Sequence, residues 1–208
     1  MAEPTPLTVY FDYRCPFCYR LVRLLTAVEQ RRPDVSVCYR HFSLEQLNAP
    51  DPRWKVWEQP LEYDLVEDGP FAMRMLRSFL ASYAAQRQGP EAFARFRLRM
   101  FVAKHDRKKV MSDPKAILTA AQEAGLDMVA FKREWQAAEG RERLREDHTS
   151  GEALGVAGLP ALVVGDGNPI YVRLAEHPPQ AEREAFFSEL IHLAIHRPYL
   201  RAFRQMHD

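Results

Sequence analysis

A chain of 208 residues with 47% hydrophobic content can bury one large core, or a small core carrying an insertion. Its 29 Lys and Arg against 28 Asp and Glu leave a net charge of +1, which excludes the basic footprint of a nucleic-acid binder. No run reaches the ~18 apolar residues of a membrane span, and three cysteines are too few for a disulfide scaffold.

Residues 1–6 (Met-Ala-Glu-Pro-Thr-Pro) hold neither the cationic nor the apolar region of a secretory signal, which predicts a cytoplasmic location and no membrane partner. Leu7 to Asp12 read as a strand, apolar enough to be buried on both faces. Cys15-Pro16-Phe17-Cys18 follows at once, where the strand gives way to a helix expected over Cys18 to Gln30. A cysteine in the first turn of a helix meets unsatisfied backbone N–H groups and the positive end of the helix dipole, both of which favour the thiolate. Asp12 could cap the helix entry or orient a proton near Cys15, and Arg14 could add positive charge beside the thiol.

Val35 to Phe42 alternates like a second strand, and the β-α-β order favours parallel pairing. Cys38 in this strand is expected to be a buried, inert thiol, and His41 a satisfied strand histidine. From Asn48 to Pro70, Pro50, Pro52, Pro60 and Pro70 interrupt regular structure. Trp54 and Trp57 in this stretch either pin the loop to the core or line a substrate groove.

A helical period then begins, with Phe71, Met75, Leu76, Phe79, Leu80 and Tyr83 on one face. Gly89-Pro90 restarts the chain into a helix with Phe93, Phe96, Met100 and Phe101 inward, and Arg95, Arg97 and Arg99 are read as its wet face. Asp113-Pro114 starts the next helix and Gly125 ends it. Asp127 caps another that carries Val129, Phe131 and Trp135, and a last one is expected from Arg141 to Ala153. Pro160 to Val164 forms a short apolar strand, residues 165–168 a hairpin-type turn, and Ile170-Tyr171-Val172 its antiparallel return. Ala185, Phe186, Leu190, Ile191 and Ala194 mark a closing helix. Removing the helical block leaves β-α-β followed by β-β-α, the order of a thioredoxin-like domain: an α/β fold with an inserted all-helical domain. The expected domains are residues 1–65 with 155–208, and an insertion over 66–154.

The CxxC could also be half of a zinc site. Cys38 and the histidines at 41, 105, 148, 177, 192, 196 and 207 offer no second paired spacing, so no metal is expected. Position at the strand-to-helix junction favours redox chemistry.

With Asp12-Tyr13-Arg14-Cys15-Pro16-Phe17-Cys18 near the start, Gly155-Val156-Ala157-Gly158-Leu159-Pro160 near the end and helices between, the chain resembles the DsbA-like thiol-disulfide oxidoreductases, in particular their cytoplasmic FrnE-type branch. The resemblance spans nearly the whole length. It implies that Cys15 attacks, Cys18 resolves, and Pro160 is a cis-proline that lies against the pair and holds an extended substrate backbone. Leu159 would tune access, with Pro16 and Phe17 as further substrate contacts; Trp54 and Trp57 join them where their loop lines the groove. Val9 stands where many relatives bury an acid, and Pro16-Phe17 differs from the Pro-His pair of strongly oxidising members, which implies a milder couple.

The function expected on this basis is reduction or isomerisation of disulfides in the cytoplasm, without a bound cofactor. Its partner would be a disulfide-containing protein or a small thiol or disulfide, and its state a monomer or homodimer. Two alternatives keep the thiol chemistry: a reductase of small electrophiles fed by a glutathione-like co-substrate, and a kappa-type glutathione transferase or isomerase. A third reading is a non-catalytic peptide-binding module with vestigial cysteines.

Overall fold

The computed structural model describes residues 6–65 and 74–197. Four strands form one mixed sheet in the order β2-β1-β3-β4, where β1 is Leu7–Phe11, β2 Val37–His41, β3 Ala161–Val164 and β4 Ile170–Tyr171. β1 pairs parallel with β2 (Val9 opposite Tyr39) and antiparallel with β3 (Val9 opposite Leu162), and β3 pairs antiparallel with β4. This central position explains the nearly unbroken apolar character of β1. The arrangement is thioredoxin-like, with a helical insertion between β2 and β3.

The helices among the described residues are α1 (Pro16–Glu29), α2 (Leu44–Leu47), α3 (Leu76–Gln86), α4 (Pro90–His105), α5 (Pro114–Glu123), α6 (Met128–Trp135), α7 (Glu139–Ala153) and α8 (Arg183–His196). Pro16 occupies the first helical position of α1, where its missing N–H costs nothing, and Cys15 is the N-cap. The helix therefore starts two residues earlier than its apolar period implied. Its inner face buries Leu21, Val22, Leu25 and Val28. Glu29 then accepts hydrogen bonds from the Val37 amide (3.1 Å) and the Tyr39 hydroxyl (2.9 Å), which ties the end of α1 to the start of β2.

The chain forms two compact units, Met1–Phe42 with Ser150–Asp208, and Ser43–Thr149. The expected division at 65/66 and 154/155 therefore differs from the observed one. The segment from Ser43 onward is bonded into the helical unit: the Ser43 amide donates to His148 Nδ1 (3.1 Å), and Arg141 donates to the carbonyls of Trp57 and Gln59 (2.7 Å each). Gln46 adds bonds to the Val56 amide and the Trp54 carbonyl. The proline-rich stretch also contains structure that its composition hid, namely α2 and 3-10 turns at Val56–Glu58 and Leu61–Leu65.

Within the helical unit, Met75, Leu76, Phe79, Leu80 and Tyr83 are buried as expected, while Phe71 lies outside the described residues. Phe96 and Phe131 meet with ring centroids 5.5 Å apart, and the Trp135 indole donates to the Arg77 carbonyl (2.9 Å). Asp113 and Asp127 cap α5 and α6 through bonds to the Lys115 amide and to the Val129 and Ala130 amides.

Four burial expectations are corrected. Cys38 is exposed, because β2 is a sheet edge whose inward residues are Tyr39 and His41. Arg97 is only 1% exposed and sits over the Phe93 ring, since it lies two positions round the helix from the wet Arg95 and Arg99. Val129 is 80% exposed, opposite the inward Phe131. In α8 the buried aromatic is Phe187, not Phe186. One glycine is set by close approach: a Cβ on Gly151 would fall 2.7 Å from a Phe42 ring carbon and 3.1 Å from Tyr10.

Candidate active site

A tight turn leads from β1 into α1. The Cys15 amide donates to the Asp12 carbonyl (3.1 Å), and the Arg14 amide donates to Asp12 Oδ1 (2.8 Å). Asp12 is thereby a turn former, and its carboxylate is fully buried. Behind the turn, Phe11, Tyr13 and His41 make a buried aromatic cluster, with His41 centred 4.5 Å from Phe11 and 5.6 Å from Tyr13.

Cys15 and Cys18 occupy the N-cap and third positions of α1. Cys15 retains 5% exposure and Cys18 none. The Sγ of Cys15 donates to the Leu159 carbonyl at 3.6 Å, so the start of β3 lies against the first sulfur. The Leu159–Pro160 peptide is cis, and the Pro160 carbonyl accepts from the Val172 amide at 3.2 Å. Leu159 and Pro160 are buried; Pro16 is exposed and Phe17 half-buried.

The two thiols are driven apart electrostatically. The hydrogen bond from the Cys18 thiol, joined by the backbone amides of Cys18 and Phe17, pulls the Cys15 pKa below the ordinary cysteine value against the opposing effects of burial and the Asp12 charge. Complete burial, with the Cys15 charge beside it, pushes Cys18 well above that value. This arrangement makes Cys15 the more acidic of the two thiols.

Phe17 carries two cations: the guanidinium carbon of Arg173 stands 3.8 Å from its ring centroid and that of Arg20 5.2 Å away. Sequence reasoning did not find this contact, because Arg173 is some 150 residues distant in the chain and nothing local marks it. Trp54 and Trp57 lie in the helical unit. Trp57 is buried beside His148 (5.6 Å between centroids), and half-buried Trp54 faces Tyr63 (5.8 Å). Among the described residues no group of three or more His, Cys, Asp or Glu side chains could hold a metal ion. No described helix is long and apolar enough to cross a membrane.

Several solved structures share the fold. A thioredoxin-like oxidoreductase from Silicibacter pomeroyi is 19% identical, with a TM-score of 0.56 over 90% of this chain and 86% of that one. A probable DsbA oxidoreductase from Streptomyces coelicolor is 17% identical, with a TM-score of 0.62 over 98% and 94%. A 2-hydroxychromene-2-carboxylate isomerase is 19% identical, with a TM-score of 0.63 over 95% and 100%. No curated protein matches the sequence. The sequence profile of the DSBA-like thioredoxin domain matches residues 6–183, which takes in the CxxC, the helical insertion and Leu159-Pro160, and the chain therefore belongs to the DsbA-like thioredoxin-domain family.

Proposed function

We propose that the protein is a thiol-disulfide oxidoreductase that reduces or isomerises disulfides in a reducing compartment, the cytoplasm. The observation that carries this reading is the placement of two adjacent thiols, with Cys15 at the N-cap of α1 and its sulfur 3.6 Å from the Leu159 carbonyl, and Cys18 fully buried one turn on; Cys15 is the more acidic of the two. In the reductive direction the Cys15 thiolate attacks one sulfur of a substrate disulfide. A mixed disulfide forms and the other substrate sulfur leaves as a thiolate. Cys18 then gives up its proton to solvent and attacks Cys15 Sγ, which closes the Cys15–Cys18 bond and releases the second substrate thiolate. Two electrons pass to the substrate, and a reducing thiol must return them to the pair.

Leu159 and Pro160, against the attacking sulfur, would hold an extended substrate backbone, with Pro16 and Phe17 beside it. Trp57, buried beside His148, and Trp54, facing Tyr63, anchor their loop within the helical unit. A disulfide-containing protein is the expected partner. Insulin reduction tests the reading: turnover should require Cys15, and full activity in Cys15→Ser would refute it.

A thiol-dependent isomerase is the second reading, favoured by full-length coverage of the 2-hydroxychromene-2-carboxylate isomerase structure. Such chemistry uses a single thiol. Turnover of a small electrophile with added glutathione that survives in Cys18→Ala would select it over disulfide exchange.

A further inference from the structure

The α1 segment after Asp12 carries Arg14, Arg20 and Arg23 and has no acidic residue until Glu29. Arg20 and Arg23 are three apart, on one face of the helix. The segment that follows β4 comes up against this face. Arg20 donates to the Leu174 carbonyl (3.0 Å), Arg23 donates to His177 Nε2 (3.1 Å), and Arg173 stacks on Phe17. Tyr19 completes the patch, with its ring 5.5 Å from the Arg23 guanidinium carbon and 5.6 Å from the His177 centroid.

Several arginines elsewhere are matched with acids, while Arg95, Arg141 and Arg183 are turned onto backbone carbonyls. Arg31 pairs with Glu184, Arg32 with Asp34, Arg53 with Asp51, Arg107 with Glu123 and Arg133 with Glu134. Among the described residues, Arg20, Arg23 and Arg173 pair with no carboxylate; their partners are ring faces, a carbonyl and an imidazole. Stacking and neutral acceptors hold the guanidinium groups in place and leave their charge unspent. The patch is also fixed relative to the sulfur. Phe17 is two residues from Cys15, and Val172, next to Arg173, is bonded to Pro160, whose neighbour Leu159 accepts from Cys15.

We propose that Arg20, Arg23 and Arg173 form a cationic rim that selects disulfides carrying a carboxylate beside the sulfur to be attacked. The substrate class is thus an anionic disulfide, from an acidic stretch of polypeptide or from a small carboxylate-bearing thiol. This rests on the disulfide-exchange reading above, and the electron balance is that of the same two steps.

The test is single-turnover oxidation of the reduced full-length protein by matched probes: cystine peptides flanked by Glu, Gln or Lys, and oxidised glutathione against its ethyl ester. The Glu peptide should react about tenfold faster than the Gln peptide at low ionic strength, with Lys slowest, and the ratio should fall toward one at about 0.5 M salt. Arg20→Gln with Arg173→Gln should bring the ratio near one, whereas Arg53→Gln should keep it. A charge preference in the peptide pair or in the glutathione pair supports the rim and identifies its source. Equal rates for all charges in the wild type, or a preference unmoved by the double variant, would overturn it. Reaction of Cys15→Ser as fast as wild type would overturn the exchange reading itself, a distinct result.

Discussion

The start of α1 and the starts of α5 and α6 solve one problem in two ways. Every helix begins with amide N–H groups that lack an intrahelical partner. In α5 and α6 an aspartate takes them: Asp113 accepts from the second position, Asp127 from the second and third. In α1 no side-chain cap is formed, and the residue in the capping position is Cys15. The amides of Phe17 and Cys18, the second and third positions, are the backbone groups that favour its thiolate. An ionised Cys15 is therefore the N-cap of α1, in the place an aspartate fills in the helical unit. The position that a capping carboxylate holds in one unit is held by a thiol of lowered pKa in the other.

The comparison predicts effects of very different size. Cys15→Ser should reduce insulin turnover to the uncatalysed background, because a hydroxyl keeps the capping geometry and loses the nucleophile. Asp127→Ala removes a cap that does no chemistry. It should cost about 1 kcal/mol in denaturant unfolding and leave turnover per folded molecule unchanged.

The third prediction concerns pH. Because the fold lowers the Cys15 pKa, the reduced protein should gain stability as pH rises from that titration toward the ordinary thiol range, and lose it as pH falls through it. Cys18, raised by burial, contributes the opposite slope above the ordinary thiol range. The difference between reduced wild type and Cys15→Ser in unfolding experiments across pH isolates the first slope, and a flat difference would break the analogy. The smallest effect is expected from Asp12→Asn. The amide oxygen can still accept from Arg14, and removal of a charge that opposes both thiolates should move the thiolate absorbance titration of Cys15 to lower pH.

The comparison also shows where the sequence was readable. Asp113-Pro114, Asp127 and the strand-to-helix position of the CxxC are local signals, and each predicted a helix start that the structure contains. Helical spacing likewise found the inner faces of α3 and α4. Misreadings arose where a residue's partners lie far off in the chain. Arg97 looked like one of a run of wet arginines, yet it is buried over the Phe93 ring. Cys38 looked buried because composition does not say that β2 is an edge. The segment after Ser43 joined the helical unit through hydrogen bonds to His148 and Arg141, about a hundred residues away. At the site, the strand-to-helix position of the CxxC was legible, the approach of Leu159 to Cys15 was implied only by the family resemblance, and the stacking of Arg173 on Phe17 had no local mark.

The full enclosure of Cys18 makes the redox pair a device with a single door. Within the pair an incoming sulfur would meet Cys15 first, so every adduct of the pair would have the same connectivity, and the inner thiol would act only as the latch that ends it. With the latch removed, as in Cys18→Ala, the adduct should persist long enough to be isolated by its mass, and the protein becomes a hook for its own substrates.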